Sequence, residues 1–212
     1  MTTAVVLGAT GLVGQELINL LVQEESIETV IMITRRPYSH ICEKVENHVI
    51  DFEQLDQYET LFQGNLLFSC LGTTKKQAGS ISQQRKVDVD YQLQAATIAV
   101  KNNIEHYLLV SSSGANVKSS SPYLQMKGEL EQSIKALPFA KTTIVQPSLL
   151  LGSRTQLRLG EFVASIVMPI FTCLPGLKKY RPIKAHTVAA RLVQQALTQP
   201  ESHKIVRLDE VF

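Results

Sequence analysis

Thr3-Ala4-Val5-Val6-Leu7-Gly8-Ala9-Thr10-Gly11-Leu12-Val13-Gly14 opens as an apolar run, turns on glycine and enters an apolar helix. The run Thr3–Leu7 is apolar and rich in β-branched residues, so it reads as a buried strand. It passes directly into glycines spaced GxxGxxG and then into a helix beginning at Leu12. Such a junction uses glycine for the tight turn, for close approach of backbone to a pyrophosphate and for packing of helix on strand, while the unpaired N–H groups of the helix face the anion. Gly8, Thr10, Gly11, Leu12, Val13 and Gly14 are therefore expected to hold a dinucleotide. A glycine-rich turn without a ligand is the competing explanation.

Working outward, Leu12, Val13, Leu17, Leu20 and Leu21 recur at helical spacing, and Val30–Thr34 forms a second buried strand, completing a βαβ unit. An acidic residue at the end of that strand would bond a ribose 2′-hydroxyl. This chain has Arg35-Arg36 there, a pair suited to a 2′-phosphate, so NADP(H) is expected over NAD(H). Val45–Ile50 reads as a third strand ending in Asp51-Phe52, where Asp51 either accepts from an adenine amino group or caps a helix over Glu53–Phe62. Asn65–Cys70 reads as a fourth strand opening into Leu71-Gly72-Thr73, a small polar loop expected beside the cofactor. Cys70 is expected to be a buried apolar group rather than a nucleophile. Lys75–Ser80 reads as a polar loop, and Ser82 as the cap of a helix running to Asn102-Asn103.

A fifth strand, Tyr107–Val110, leads into Ser111-Ser112-Ser113-Gly114, and Pro122 then opens a helix carrying Tyr123 and Lys127. These two are four residues apart, which puts both on one helix face. A phenol is a poor acid or base near neutral pH, and an adjacent ammonium lowers its pKa. Tyr123 is thus the expected proton donor or acceptor, Lys127 its tuner and a ligand of the nicotinamide ribose, and Ser112 the substrate anchor, with Ser113 as the alternative. Amphipathic packing without chemistry is the competing account of the Tyr123–Lys127 spacing.

Composition limits the alternatives. The chain has 212 residues, enough for a full core, with 19% charged residues and a net charge of +2, too small to argue for nucleic acid. Cys42, Cys70 and Cys173 are widely spaced without metal-ligand patterning, so neither a metal site nor a disulfide framework is expected, and a reducing, cytoplasmic setting is. The opening MTTAVV reads as strand rather than signal peptide. The apolar stretch Phe162–Leu177 is interrupted by Pro169 and Pro175 and is too short to cross a membrane.

Several segments together resemble the short-chain dehydrogenase/reductase superfamily, in its compact atypical branch, most closely the Tat-interacting protein group of NADP-binding oxidoreductases. They are GATGLVG from Gly8, TRR from Thr34, SCLGTT from Ser69, VDVDY from Val87, SSSGA from Ser111, YLQMKGELE from Tyr123, and the stretch from Gln146 to Phe162. The resemblance implies a Rossmann-type, doubly wound parallel sheet of six to seven strands with helices on both faces, NADP(H) at the glycine turn, and Pro147 beside the nicotinamide. Superfamily members that dimerise do so through the helices corresponding to Ser82–Asn102 and Pro122–Ala136, so a homodimer or a regulatory partner is open here. Many relatives carry asparagine before the fifth strand where this chain has Asp88, and sugar-nucleotide epimerases carry a larger carboxyl-terminal lobe for which this chain has no room.

Thr142–Val145 reads as a sixth strand, Ile183–Leu197 as an amphipathic helix with His186 at its surface, and Ile205–Leu208 as a closing strand. Residues 154–181 are largely apolar, with charge at Arg154, Arg158 and Glu161 and again at Lys178, Lys179 and Arg181, and are expected to cover the substrate, with core packing and a membrane or partner surface as alternatives. The expectation is one domain over residues 1–212: an NADP(H)-dependent oxidoreductase acting on a carbonyl or alcohol of a partly apolar small molecule. The alternatives are an NADPH-binding regulatory or assembly protein with a partner, and a sugar-nucleotide epimerase or dehydratase.

Overall fold

The structure is a computed structural model that describes residues 2–151 and 181–211. Seven parallel strands form one sheet: β1 (Thr2–Leu7), β2 (Ile27–Thr34), β3 (Val45–Val49), β4 (Leu66–Ser69), β5 (His106–Val110), β6 (Lys141–Gln146) and β9 (His203–Arg207). Their spatial order is β3-β2-β1-β4-β5-β6-β9. The chain winds from β1 outward to β3, then crosses back to lay β4 against the other side of β1. The strand order therefore reverses between β1 and β4, and open α/β sheets bind ligands in the crevice at the carboxyl ends of such strands. A short pair, β7 (Leu150–Leu151) and β8 (Ile183–Lys184), stands apart.

Residue alternation in β1 explains the layers. Ala4 and Val6 pack into one core with Val13 and Leu17 of helix α1 (Leu12–Gln23) and with Val188 and Leu192 of α6 (Ala185–Thr198). Val5 and Leu7 face the other core, with Ala95 and Ala99 of α4 (Tyr91–Lys101) and with Leu130 and Ile134 of α5 (Pro122–Lys135). Successive side chains of a strand point to opposite faces, so a continuously apolar strand requires cover on both. The expected doubly wound sheet is what forms. Edge strand β3, VENHV, is only half covered, as its polar residues require.

Several local expectations differ from the structure. Lys75–Ala78 is a short helix, α2, rather than a loop: Thr74 Oγ1 accepts the Gln77 N–H at 3.1 Å, and Gly79 stops it at φ +87°. The cap of α3 (Ile81–Arg85) is Ser80, which accepts from Gln83 N at 3.1 Å, so Ser82 lies inside the first turn. Phe52–Leu61 is a kinked 3₁₀ segment because only Phe52 and Leu55 are buried there, too few to hold a regular amphipathic helix. Between α3 and α4 the chain makes a π-helical turn at Lys86–Asp90. The expected substrate cover, residues 154–181, lies outside the described residues except for Arg181.

Candidate functional site

Gly8 sits at φ +76°, and a Cβ there would come within 2.6 Å of the Cys70 carbonyl group, so the first turn and the end of β4 touch backbone to backbone. Gly11 N–H closes the turn on Gly8 O at 2.9 Å, and a Cβ on Gly14 would collide with that same carbonyl oxygen. Gly11 caps α1 without a side-chain hydrogen bond, and the first helical turn holds no acidic residue. The amides around Leu12 and Val13 are thus left for an anion, while the Val13 side chain is core. A cradle in which a Cβ would fill the turn, below an uncapped helix start, fits a pyrophosphate.

Two adjoining cavities open at this point. One of about 550 Å³ is lined by Thr10, Gly11, Arg35, Arg36, Gly72 and Thr73, together with Gln77, Gln83, Val87 and Tyr91. The other, about 130 Å³, reaches inward past Gly8, Phe52, Cys70 and Leu71. The crossover between β1 and β4 therefore brings together most of the residues expected to hold cofactor. Thr34 Oγ1 shapes the arginine turn, lying 2.8 Å from Arg36 O and 2.9 Å from Asn47 Oδ1. Both arginines are exposed beside the cavity. Asp51 caps: its Oδ1 accepts the Glu53 N–H at 2.9 Å, and it does not line either cavity. Burial pushes the Cys70 thiol up to about 12, the opposite of what a nucleophile needs.

Gln83, Val87 and Tyr91 line the larger cavity without having been anticipated. Their spacing of four residues was the available signal, obscured because it runs through α3, the π turn and α4. The Tyr91 hydroxyl donates to Glu53 Oε1 at 2.6 Å, where Lys86 Nζ also lies at 2.7 Å. Burial, then Glu53, pushes the Tyr91 phenol up to about 12, and Lys86 followed by Tyr91 holds Glu53 below the usual carboxylate range.

The π turn has an identifiable support. Gln92 Nε2 donates to Val87 O at 3.1 Å and Asp88 O at 3.0 Å, while its Oε1 accepts Ser69 Oγ–H at 2.7 Å. One side chain thereby serves carbonyls released by the wider turn and ties them to the end of β4. The turn presents Asp88, wholly buried, to Lys127 Nζ at 3.3 Å, and Lys127 itself is 2% exposed. Thr73 N–H reaches the same Asp88 oxygen at 3.4 Å, while Asp88 Oδ2 has no hydrogen-bond partner among the described residues.

Tyr123, in the first turn of α5, is 38% exposed, and Lys127 lies one turn deeper on the same face. Gly128 lets α5 press onto the Asn116–Val117 backbone, where a Cβ would stand 2.5 Å from Val117 N. Ser111 spends its hydroxyl on Glu131 at 2.5 Å. Among the described residues the Ser112 hydroxyl has only a long 3.4 Å contact with Ser113 O, and Ser113 N–H donates to Pro147 O at 3.0 Å, which joins the β5 and β6 ends. Ser112, Tyr123, Lys127 and Pro147 thus lie beyond the two cavities, on α5 and the strand ends that follow.

Residues 8–161 match the family described as NAD(P)H-binding. The chain belongs to this NAD(P)H-binding family. It is 38% identical over 210 residues to Protein FMP52, mitochondrial, of Candida glabrata, covering 95% of this chain and 88% of that one. It is 39% identical over 163 residues to Protein HTATIP2 of Rattus norvegicus, covering 75% and 67% respectively. Both likenesses agree with an atypical short-chain dehydrogenase/reductase. Among solved structures, MoeE5 in complex with UDP-glucuronic acid and NAD superposes with a TM-score of 0.75 at 15% identity, over 97% of this chain and 76% of that one. At that identity the likeness speaks for the fold. The mitochondrial names overturn the cytoplasmic expectation. Free Cys42 and Cys70 fit a reducing setting, and that does not tell one reducing compartment from another.

Proposed function

We propose that this NAD(P)H-binding protein is an NADP(H)-dependent oxidoreductase interconverting a carbonyl and an alcohol on a small, partly apolar substrate. The observation that carries this reading is the face of α5, on which Tyr123 stands at the open end and a buried, charge-compensated Lys127 lies one turn deeper. Bound NADP(H) supplies or accepts the hydride. Tyr123 gives or takes the proton at the substrate oxygen, Ser112 holds that oxygen, and Lys127 anchors the ribose and keeps a positive charge near the phenol.

Preference for NADP(H) is supported by the larger cavity, which meets two guanidinium groups, Arg35 and Arg36, and no carboxylate among its lining residues. The FMP52 relatives support a mitochondrial setting, testable by imaging a tagged chain in cells. A purified sample tested on a carbonyl panel with NADPH should turn over a member of the panel, and Tyr123→Phe should stop turnover while NADPH still binds. A parent inert on the whole panel would contradict this.

A second reading, a cofactor-binding regulatory protein without turnover, is favoured by one observation: the Lys127 ammonium is already committed to Asp88. It predicts tight NADPH binding, an inert panel and a partner recovered with the NADPH-loaded form.

A further inference from the structure

Helix α5 carries a second buried acid that the proton-transfer reading leaves unused. Glu131 follows Lys127 by four residues and Tyr123 by eight, so the three share one helix face. Among the described residues it is hydrogen bonds, not an ion pair, that hold it. Ser111 Oγ donates to its Oε1 at 2.5 Å, and Gln146 Nε2 lies 2.8 and 2.9 Å from its two oxygens. Gln146 Oε1 accepts from Arg207 Nε at 3.3 Å. That contact orients the amide, because turning it over would set donor against donor at Arg207 and acceptor against carboxylate at Glu131.

The two partners are the residues that matter for the site. Ser111 immediately precedes Ser112 at the end of β5, and Gln146 immediately precedes Pro147 at the end of β6. Backbone bonds from Ser111 N to Val145 O at 2.8 Å and from Ser113 N to Pro147 O at 3.0 Å hold these strand ends to each other, but not to the helix. Glu131 supplies that third connection.

We propose that Glu131 is a positioning residue: its carboxylate pins the face of α5 bearing Tyr123 and Lys127 to the strand ends presenting Ser112 and Pro147. This rests on the reading above of those four residues as the reactive end of the site. An aliphatic side chain could hold the helix by packing, yet it would leave the Ser111 hydroxyl and the Gln146 amide unpaired in the interior. A glutamine has one carbonyl oxygen to accept with, and its NH2 would stand where Glu131 Oε2 now lies, 2.9 Å from Gln146 Nε2, setting N–H against N–H. The carboxylate is the group that accepts from both.

The test uses the whole protein loaded with NADPH and reads two ends of the cofactor separately. Affinity reports chiefly the phosphates and adenosine, held by the glycine turn and the Arg35 cavity; the nicotinamide fluorescence lifetime reports how firmly the reactive end is fixed. In Glu131→Gln the Kd should stay within about threefold of the parent, while the nicotinamide lifetime falls toward that of free NADPH. The exchange Glu131→Gln with Gln146→Glu should restore the lifetime. The amide now on α5 then donates to the carboxylate now on β6 and accepts from Ser111, and that carboxylate still receives Arg207. An unchanged lifetime in the single variant, or no recovery in a folded double variant, overturns the proposal. If the parent proves inert on carbonyls while Glu131→Gln still frees the nicotinamide, the oxidoreductase reading fails and the positioning role stands. Turnover that depends on Tyr123 but is untouched in Glu131→Gln, with an unchanged lifetime, is the reverse pattern.

Discussion

Lys127 Nζ lies 3.3 Å from Asp88 Oδ1 with both side chains closed off from solvent, which couples helix α5 to the π turn beside the Gly72–Thr73 loop. Removing one member of a buried pair strands the other charge. Asp88→Leu should therefore destabilise the fold by about 3–5 kcal/mol, and Lys127→Met by a comparable amount, whereas the two together should cost far less than the two single losses combined. Denaturant melts of the four proteins check this, and additive losses would show that the pair is not coupled.

The arginine turn predicts cofactor choice. Arg35→Ala should weaken NADPH about ten- to hundredfold, the worth of one to two charge-assisted hydrogen bonds to a phosphate, and leave NADH nearly unchanged. Titration of both nucleotides measures it. Equal weakening of NADH would mean that Arg35 serves the part common to both.

Glycine at position 14 is demanded by contact, not by conformation. Its missing Cβ is where the Gly8 carbonyl oxygen passes, so Gly14→Ala must push α1 off the turn. A stability loss of about 1–3 kcal/mol and a loss of NADPH binding are expected together. A variant of parental stability that binds NADPH normally would contradict the packing described.

His106 gives the fold an acid-side slope. Its Nε2 lies 2.8 Å from Thr143 Oγ1, and Thr143 in turn donates to Gln199. Burial first, and Lys141 second, push its imidazole from 6.5 down to about 4. Between those values only the unfolded chain takes up the proton, so stability is complete above about pH 6.5 and falls as the pH drops toward 4. The loss should reach about 1–3 kcal/mol. In urea melts across this range His106→Gln should flatten the slope; a parent with no slope would show that His106 does not titrate this way.

The glycine turn, the strand succession and the Tyr123–Lys127 face were legible because each depends on local spacing: apolar runs for strands covered on both faces, glycine where backbones touch, and a period of four on one helix. The short α2 was not, since a polar cap at Thr74 and the left-handed Gly79, rather than an apolar stripe, bound it. Asp88 was visible as a departure from asparagine, but its pairing with Lys127 needs the π turn, which rests on Gln92 reaching Ser69 on another element. Glu131 was plain at the next helical repeat after Lys127, yet its role is set by Ser111 and Gln146, which only the sheet brings to it. The expected substrate cover, residues 154–181, offers composition alone.

Proton transfer by Tyr123 is measured by NADPH turnover in Tyr123→Phe beside the parent. The parent should consume NADPH with a carbonyl substrate, and the variant, with unchanged NADPH affinity and melting temperature, should be slower by at least about a hundredfold. Equal turnover in the two proteins would contradict it.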